Sequence, residues 1–253
     1  MQNININLKM ITRFIIITLV ALCLSRLVLV LSFYDRINSL TDAFYILIQG
    51  IRVDSIVAGY FFLLPALISI WLKQGRLSQI FNVFISLWLI LAFTTIIFME
   101  VMTPEFINEY DVRPNRIFLD YLIYPKEVFS MLWEGYKPAI FIGLAAIAIC
   151  IYIAIFMLKK EKNTSTSIKW PAKLGLSVLI IVVGFVLIRS SFQHRPFNPS
   201  MVFFSNDNLV NSLTLNSSYS VLFAMYNSRS EQSASDLYGK LDKKEVIAGV
   251  RKA

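Results

Sequence analysis

Arg26 lies inside an apolar run over residues 11–33, Arg52 and Asp54 open a second run, and Glu100 stands near the end of a third. A charge at such a position is costly when left alone. Arg26 therefore either snorkels to an interface or pairs with an acid on a neighbouring run, Asp54 or Glu100. Arg113 and Arg116 flank Pro114, and Arg195 follows the chain's single histidine, His194. Guanidinium groups match phosphate geometry, so Arg113, Arg116 and Arg195 are candidate contacts to a lipid phosphate. For Arg113 and Arg116, ion pairing with Glu109 or Asp111 is the competing reading. His194 as a general base would need an orienting partner and a nucleophile, and neither can be assigned. Cys23 and Cys150 both fall in apolar runs, so neither a disulfide framework nor a metal cluster is expected. The chain has no Gly-rich phosphate loop, Cys-x-x-Cys, His-Glu-x-x-His or Gly-x-Ser-x-Gly motif. Asn163-Thr-Ser and Asn216-Ser-Ser fit the short glycosylation pattern. No residue is assigned a catalytic or metal-binding role.

Hydrophobic residues make up 57% of the chain and charged residues 16%, a composition that belongs to polytopic membrane proteins and not to soluble domains. The net charge of +8 does not point to nucleic acid, because the basic residues sit mostly at the ends of apolar runs. The expected fold is all-α, with spans at about residues 11–33, 53–72, 77–102, 139–158 and 172–188. Ser39 or Thr41 can cap a short interfacial helix ahead of the second span, and Pro65 should kink that span or open its backbone locally. Residues 105–137 form a charged island between the third and fourth spans. Within it Ile117, Phe118, Tyr121 and Leu122 share one helical face, and Val128, Phe129, Leu132 and Trp133 repeat it after Pro125. These amphipathic helices are expected at the membrane interface. Lys9, Arg13, Lys73, Arg76, Lys159, Lys160, Lys162, Lys169 and Lys173 share one side, and the acid-rich island takes the other. The positive-inside rule then puts the N-terminus in the cytoplasm and the C-terminus outside.

Residues 1–190 thus read as a five-span membrane domain with an amphipathic loop at 103–138, and residues 191–253 as an extracytoplasmic helical connector. Asp207 can cap a helix bearing Leu209, Val210 and Leu213; Tyr219, Leu222, Phe223 and Tyr226 make a second stripe. The stripes of island and connector are expected to pack together as one collar. Residues 227–236 read as a linker, and Asp242 to Glu245 as a capping box for a last helix.

Three stretches carry a family likeness: EYDVRPNRIFLDYLIYPKEVFSMLWEGYK in the island, GIRVDSIVAGYFFLLPAL at the second span, and RPFNPSMVFFSNDNLVNSLTLNSSYSVLFAMY after the fifth. Together they resemble the lipoteichoic acid synthase-like proteins of the alkaline phosphatase and sulfatase superfamily. The resemblance implies a multi-pass anchor in the bacterial cytoplasmic (inner) membrane carrying a large extracytoplasmic catalytic domain. It also implies transfer of glycerol phosphate, or a similar phosphoryl alcohol, from a phospholipid to an envelope polymer or glycan. That chemistry would use a Thr nucleophile and manganese or magnesium, both in the catalytic domain, which lies outside these 253 residues. The expected partners are the bilayer, phospholipid headgroups and that domain, and this chain alone is expected to be inactive. The alternative is a complete, non-catalytic membrane protein that binds lipid or a partner protein.

Overall fold

The computed structural model describes residues 2–4, 7–72, 75–159, 166–191, 194 and 196–228. Arg195, Asn163, the linker beyond Ser228 and the helix expected after Asp242 lie outside them. Nine α-helices account for most of the described chain: α1 (Asn7–Ser32), α2 (Leu40–Trp71), α3 (Arg76–Tyr110), α4 (Arg116–Ile123), α5 (Pro125–Gly135), α6 (Lys137–Lys159), α7 (Trp170–Arg189), α8 (Asn208–Leu213) and α9 (Ser217–Ser228). Five of them, α1, α2, α3, α6 and α7, are long and apolar enough to cross a membrane. A three-residue strand near the N-terminus, β1 (Gln2–Ile4), pairs antiparallel with β2 (Thr166–Ile168) and ties the two ends that share the lysine-rich side.

Two helices, α2 and α3, run far past their expected ends. Ser39 caps α2 by accepting from the Asp42 amide at 3.1 Å, so no separate interfacial helix precedes the second span. Residues 40–52 instead add about 20 Å of continuous helix to it. The third span likewise runs through Pro104 to Tyr110, so the first six residues of the island are helix α3. It ends where Asp111 turns left-handed, at φ 56, and donates its amide to the Ile107 carbonyl.

Pro65 lies inside α2 and has no N–H, which leaves the Phe61 carbonyl without its helical donor. Trp88 of α3 supplies one, its indole Nε1 donating to that oxygen at 2.8 Å. A backbone defect on one span thus becomes a tie to its neighbour. Between α2 and α7 the contact runs through glycines. A Cβ on Gly184 would fall 2.2 Å from Leu63 Cδ1, and one on Gly59 would fall 2.6 Å from Ile188 Cγ1. Small residues that let two helices approach are the usual means of association in lipid, where hydrophobicity gives no preference for protein over tails.

The ends of α1, α2 and α3 that project on the island side enclose a small core of Leu29, Val30, Ile37, Ala43, Ile46 and Ile107. Leu209, Val210 and Leu213 of α8 complete it. The expected collar therefore forms only in part. The α8 stripe packs on the spans, α4 packs against α9, and α5 lies against α4 and α6 with Phe129 and Trp133 exposed. Burial against three projecting helix ends removes more of the α8 face from water than a single short helix could. The α4 stripe also folds back onto α3, with Tyr110 donating its hydroxyl to that of Tyr121 at 2.7 Å and Phe118 edge-on to Phe106.

Arg36, in the turn between α1 and α2, latches this end. It is paired with Asp111, and donates to both oxygens of Asp207 at 2.8 Å. Asp207 in turn caps α8, accepting from the Leu209 and Val210 amides. The Arg36 hydrogen bonds, then the two amides, hold the Asp207 carboxyl below the usual carboxylate range. A lowered folded-state value means that the latch is at full strength above the ordinary aspartate pKa of about 4 and is lost only as the pH falls through the lowered one. Asp207→Asn is expected to loosen α8 already at neutral pH. Limited proteolysis between residues 200 and 216 measures this: the wild type should resist cleavage down to about pH 4, and the variant should not.

Candidate functional site

Below α8, four charged side chains from four segments are almost wholly removed from solvent: Arg26 on α1, Asp54 on α2, Glu100 on α3, and Arg113 just after α3. The helical spacing explains why each points inward. Asp54 shares the buried face of α2 with Gly50, Val57 and Ala58, and Glu100 follows Phe93 and Ile96 down the buried face of α3. Charges at this depth persist only in pairs with their remaining hydrogen-bonding capacity used. Arg26 meets Asp54 end-on, Nη1 at 2.7 Å and Nη2 at 2.8 Å. It spends its other donors on the connector: Nε on the Leu213 carbonyl at 3.3 Å and Nη2 on the Leu215 carbonyl at 2.9 Å. Gly50 makes room for this, since a Cβ there would sit 2.0 Å from Arg26 Nε.

The connector answers both acids. Asn216, with no exposed surface, donates Nδ2 to Asp54 Oδ1 at 2.9 Å and accepts the Tyr219 amide on Oδ1 at 2.7 Å, capping α9. The amide nitrogen a glycan would need is thereby occupied, so Asn216 is not an acceptor site in this fold. The Ser217 amide donates to Glu100 Oε1 at 2.9 Å, which places a carboxylate at the positive end of α9. Ser25 donates its hydroxyl to Glu100 Oε2 at 3.0 Å.

Arg113 completes the second pair, its Nη1 lying 2.9 Å from each Glu100 oxygen. Its acid is thus neither Glu109, which accepts from the Tyr136 hydroxyl, nor Asp111, which pairs with Arg36. The remaining edge of its guanidinium, Nε and Nη2, is buried and has no partner among the described residues. Beside it is a cavity of about 540 Å³, lined by Arg113 and Arg116 together with Asn115, Ser212, Ser220 and Phe223 among others. Among the described residues no carboxylate lines it, and the Ser220 hydroxyl is also buried without a partner. A second cavity, of about 600 Å³, opens between α2 and α3 under α9 and is walled by Tyr60, Phe61, Trp88, Phe197, Tyr219 and Phe223. Phe223 lines both.

Of the residues expected from sequence to pair, Arg26 and Asp54 do so with each other, and Glu100 pairs with Arg113. Arg52 serves a different purpose: it donates to the carbonyl and hydroxyl of Ser190 at the end of α7 and covers the Phe197 ring at 5.0 Å. Arg116 reaches the cavity with Arg113, and Arg195 is outside the described residues. His194 is exposed, its carbonyl accepting from Arg189 at 3.4 Å. The roles of Asn216, Ser217 and Arg36 were not foreseen. The one available signal was that an acid inside a span demands partners, and Asp54 and Glu100 had more capacity than two arginines could fill.

The fold defines a multi-pass membrane protein with five candidate spanning helices. No protein-family model and no solved structure matches the chain.

Arg26→Met is expected to destabilise the protein by about 3–5 kcal/mol, because it strands the Asp54 carboxylate. Adding Asp54→Leu should recover part of that loss in thermal unfolding in detergent. Protease cleavage of the connector should stay elevated in the double variant, since the Leu213 and Leu215 carbonyls and Asn216 remain untied. Wild-type stability in Arg26→Met would show that the pair does not carry the connector.

Proposed function

We propose that this chain is the five-span membrane part of a lipoteichoic acid synthase-like enzyme in a bacterial cytoplasmic membrane. Such an enzyme transfers glycerol phosphate, or a similar phosphoryl alcohol, from a phospholipid to an envelope polymer or glycan. One observation supports this above others: the three stretches that resemble that family meet at a single buried network. The second-span stretch supplies Gly50 and Asp54, the island supplies Arg113, and the post-membrane stretch supplies Asn216 and Ser217. Segments far apart in sequence that resemble one family and also bond to one another behave as one constraint, not as three coincidences.

In this reading the lysine-rich ends face the cytoplasm and the island with its connector faces outward. α5 lies in the headgroup layer through its exposed Phe129, Met131 and Trp133. The connector is the rigid mount of the catalytic domain. Hydrogen bonds that Arg26 donates and that Asp54 and Glu100 accept fix where α9 begins, and so fix the height at which a following domain would stand over the lipid surface. The chemistry, with its nucleophilic threonine and divalent metal, belongs to that domain.

Two measurements check the proposal. A cysteine at Asn115 should label with an impermeant thiol reagent on cells or spheroplasts and one at Ser165 should not; the reverse pattern would invert the orientation. Loss of the gene in its host should lower transfer of labelled glycerol from phospholipid into envelope polymer or glycan, while the isolated 253-residue chain shows no metal-dependent turnover. Unchanged transfer in the deletion strain would remove the enzyme assignment.

A further inference from the structure

We infer that the cavity beside Arg113 binds the phosphate group of a membrane lipid whose hydrocarbon chain lies in the aromatic cleft below it. The first ground is the state of the Arg113 side chain. Arg26, equally buried, uses all three of its nitrogens, whereas Arg113 uses Nη1 alone and leaves Nε and Nη2 without partners. That pair of nitrogens is the side of a guanidinium that grips two oxygens of one phosphate or carboxylate. A buried group with unused donors is a standing cost, removed by a ligand that supplies acceptors.

The second ground is the composition of the cavity. Arg113 and Arg116 line it with the unpartnered Ser220 hydroxyl, and no acid among the described residues lines it. The polar groups that face it from Arg113 and Ser220 are therefore donors in search of an acceptor. Its volume, about 540 Å³, suits a headgroup and not a lone water.

The third ground is position, and it selects a lipid over a free oxyanion. Counted from Arg76 at about 1.5 Å per residue, Glu100 stands about 36 Å along α3, just past the roughly 30 Å of a hydrocarbon core. Arg113, bonded to it, is therefore at headgroup height. The cleft that shares Phe223 with the cavity descends from there along Tyr60, Phe61 and Trp88, within the apolar part of the spans. A phosphate in the upper cavity and a chain in the lower cleft would occupy adjoining spaces. The inference stands on this geometry alone and does not require the transferase reading. Failure to bind lipid would leave that reading intact, and loss of the enzyme assignment would leave this one intact.

The test compares dioctanoyl phosphatidic acid with dioctanoylglycerol, which differ only in the phosphate. The purified chain in neutral detergent is titrated with each, and with inorganic phosphate, by native mass spectrometry. Phosphatidic acid is expected to bind at least tenfold more tightly than dioctanoylglycerol. Arg113→Lys keeps a cation for Glu100 but removes the two-nitrogen edge, and it should abolish that preference. Ser220→Asp leaves the Arg113–Glu100 pair in place and sets a carboxylate in the cavity. It should do the same, and it decides the matter if Arg113→Lys fails to fold. Equal binding of the two lipids by the wild type, or a preference unchanged in the folded variants, would overturn the site. Inorganic phosphate binding as tightly as phosphatidic acid would overturn the lipid as its occupant.

Discussion

A charge held away from water must find its counter-charge and its hydrogen bonds within the protein, and much of this structure is arranged to meet that demand. Two acids and two arginines occupy the island-side ends of the spans with almost no exposed surface. Their Coulombic attraction alone would not recover the cost of desolvation; buried pairs survive when the remaining lone pairs and protons are also satisfied. Here the satisfaction comes from the connector. Carbonyls of Leu213 and Leu215, the amide of Asn216 and the backbone N–H of Ser217 fill what Arg26, Asp54 and Glu100 leave open. The connector is therefore no appendage. Phe197, Val202, Leu215 and Tyr219 belong to the same apolar cluster as the spans.

The same logic appears in uncharged form elsewhere in the bundle. Pro65 removes one backbone donor and Trp88 replaces it; Gly59 and Gly184 remove side chains so that α7 can reach α2. In each case a residue that weakens one helix is compensated by a neighbour, and the compensation fixes how the two elements meet. Helices that share a solvent as apolar as themselves gain little from hydrophobic burial against each other. Specific ties of this kind carry the arrangement instead.

The five spans were legible in the sequence because length and apolar composition suffice to mark them. Asp207 as a cap and Pro125 as a helix start were legible for a similar reason, each following from a local rule, and the cost of a lone charge put Asp54 among the candidate partners of Arg26. The extents of α2 and α3 were not. Polar residues such as Gln49, Arg52 and Glu105 read as the end of a span, yet a helix can continue into the interface when other elements cover it. Nor could the partner of Glu100 be read. Arg113 follows it by 13 positions, and the two meet only because Asp111 turns the chain back along α3. The split between α4 and α5 was equally hidden. Both carry the same kind of apolar stripe, and only the placement of α9 decides which of the two is covered.

Arg113 has a place in this scheme that the other three charges do not share. Arg26, Asp54 and Glu100 are each bonded directly to the connector, and each is close to its full complement of partners. Arg113 touches the connector only weakly, at 3.4 Å from the Ser217 hydroxyl, and otherwise acts through Glu100. Glu100 is the acceptor for the amide that begins α9. The strength with which it holds that amide depends on how firmly Arg113 holds Glu100, since a carboxylate shared between a cation and a helix N-terminus is positioned by both. Whatever occupies the unpaired edge of Arg113 therefore bears on the start of α9, one residue removed. Among the described residues, the buried charge left incompletely bonded lies against a cavity and next to the start of α9.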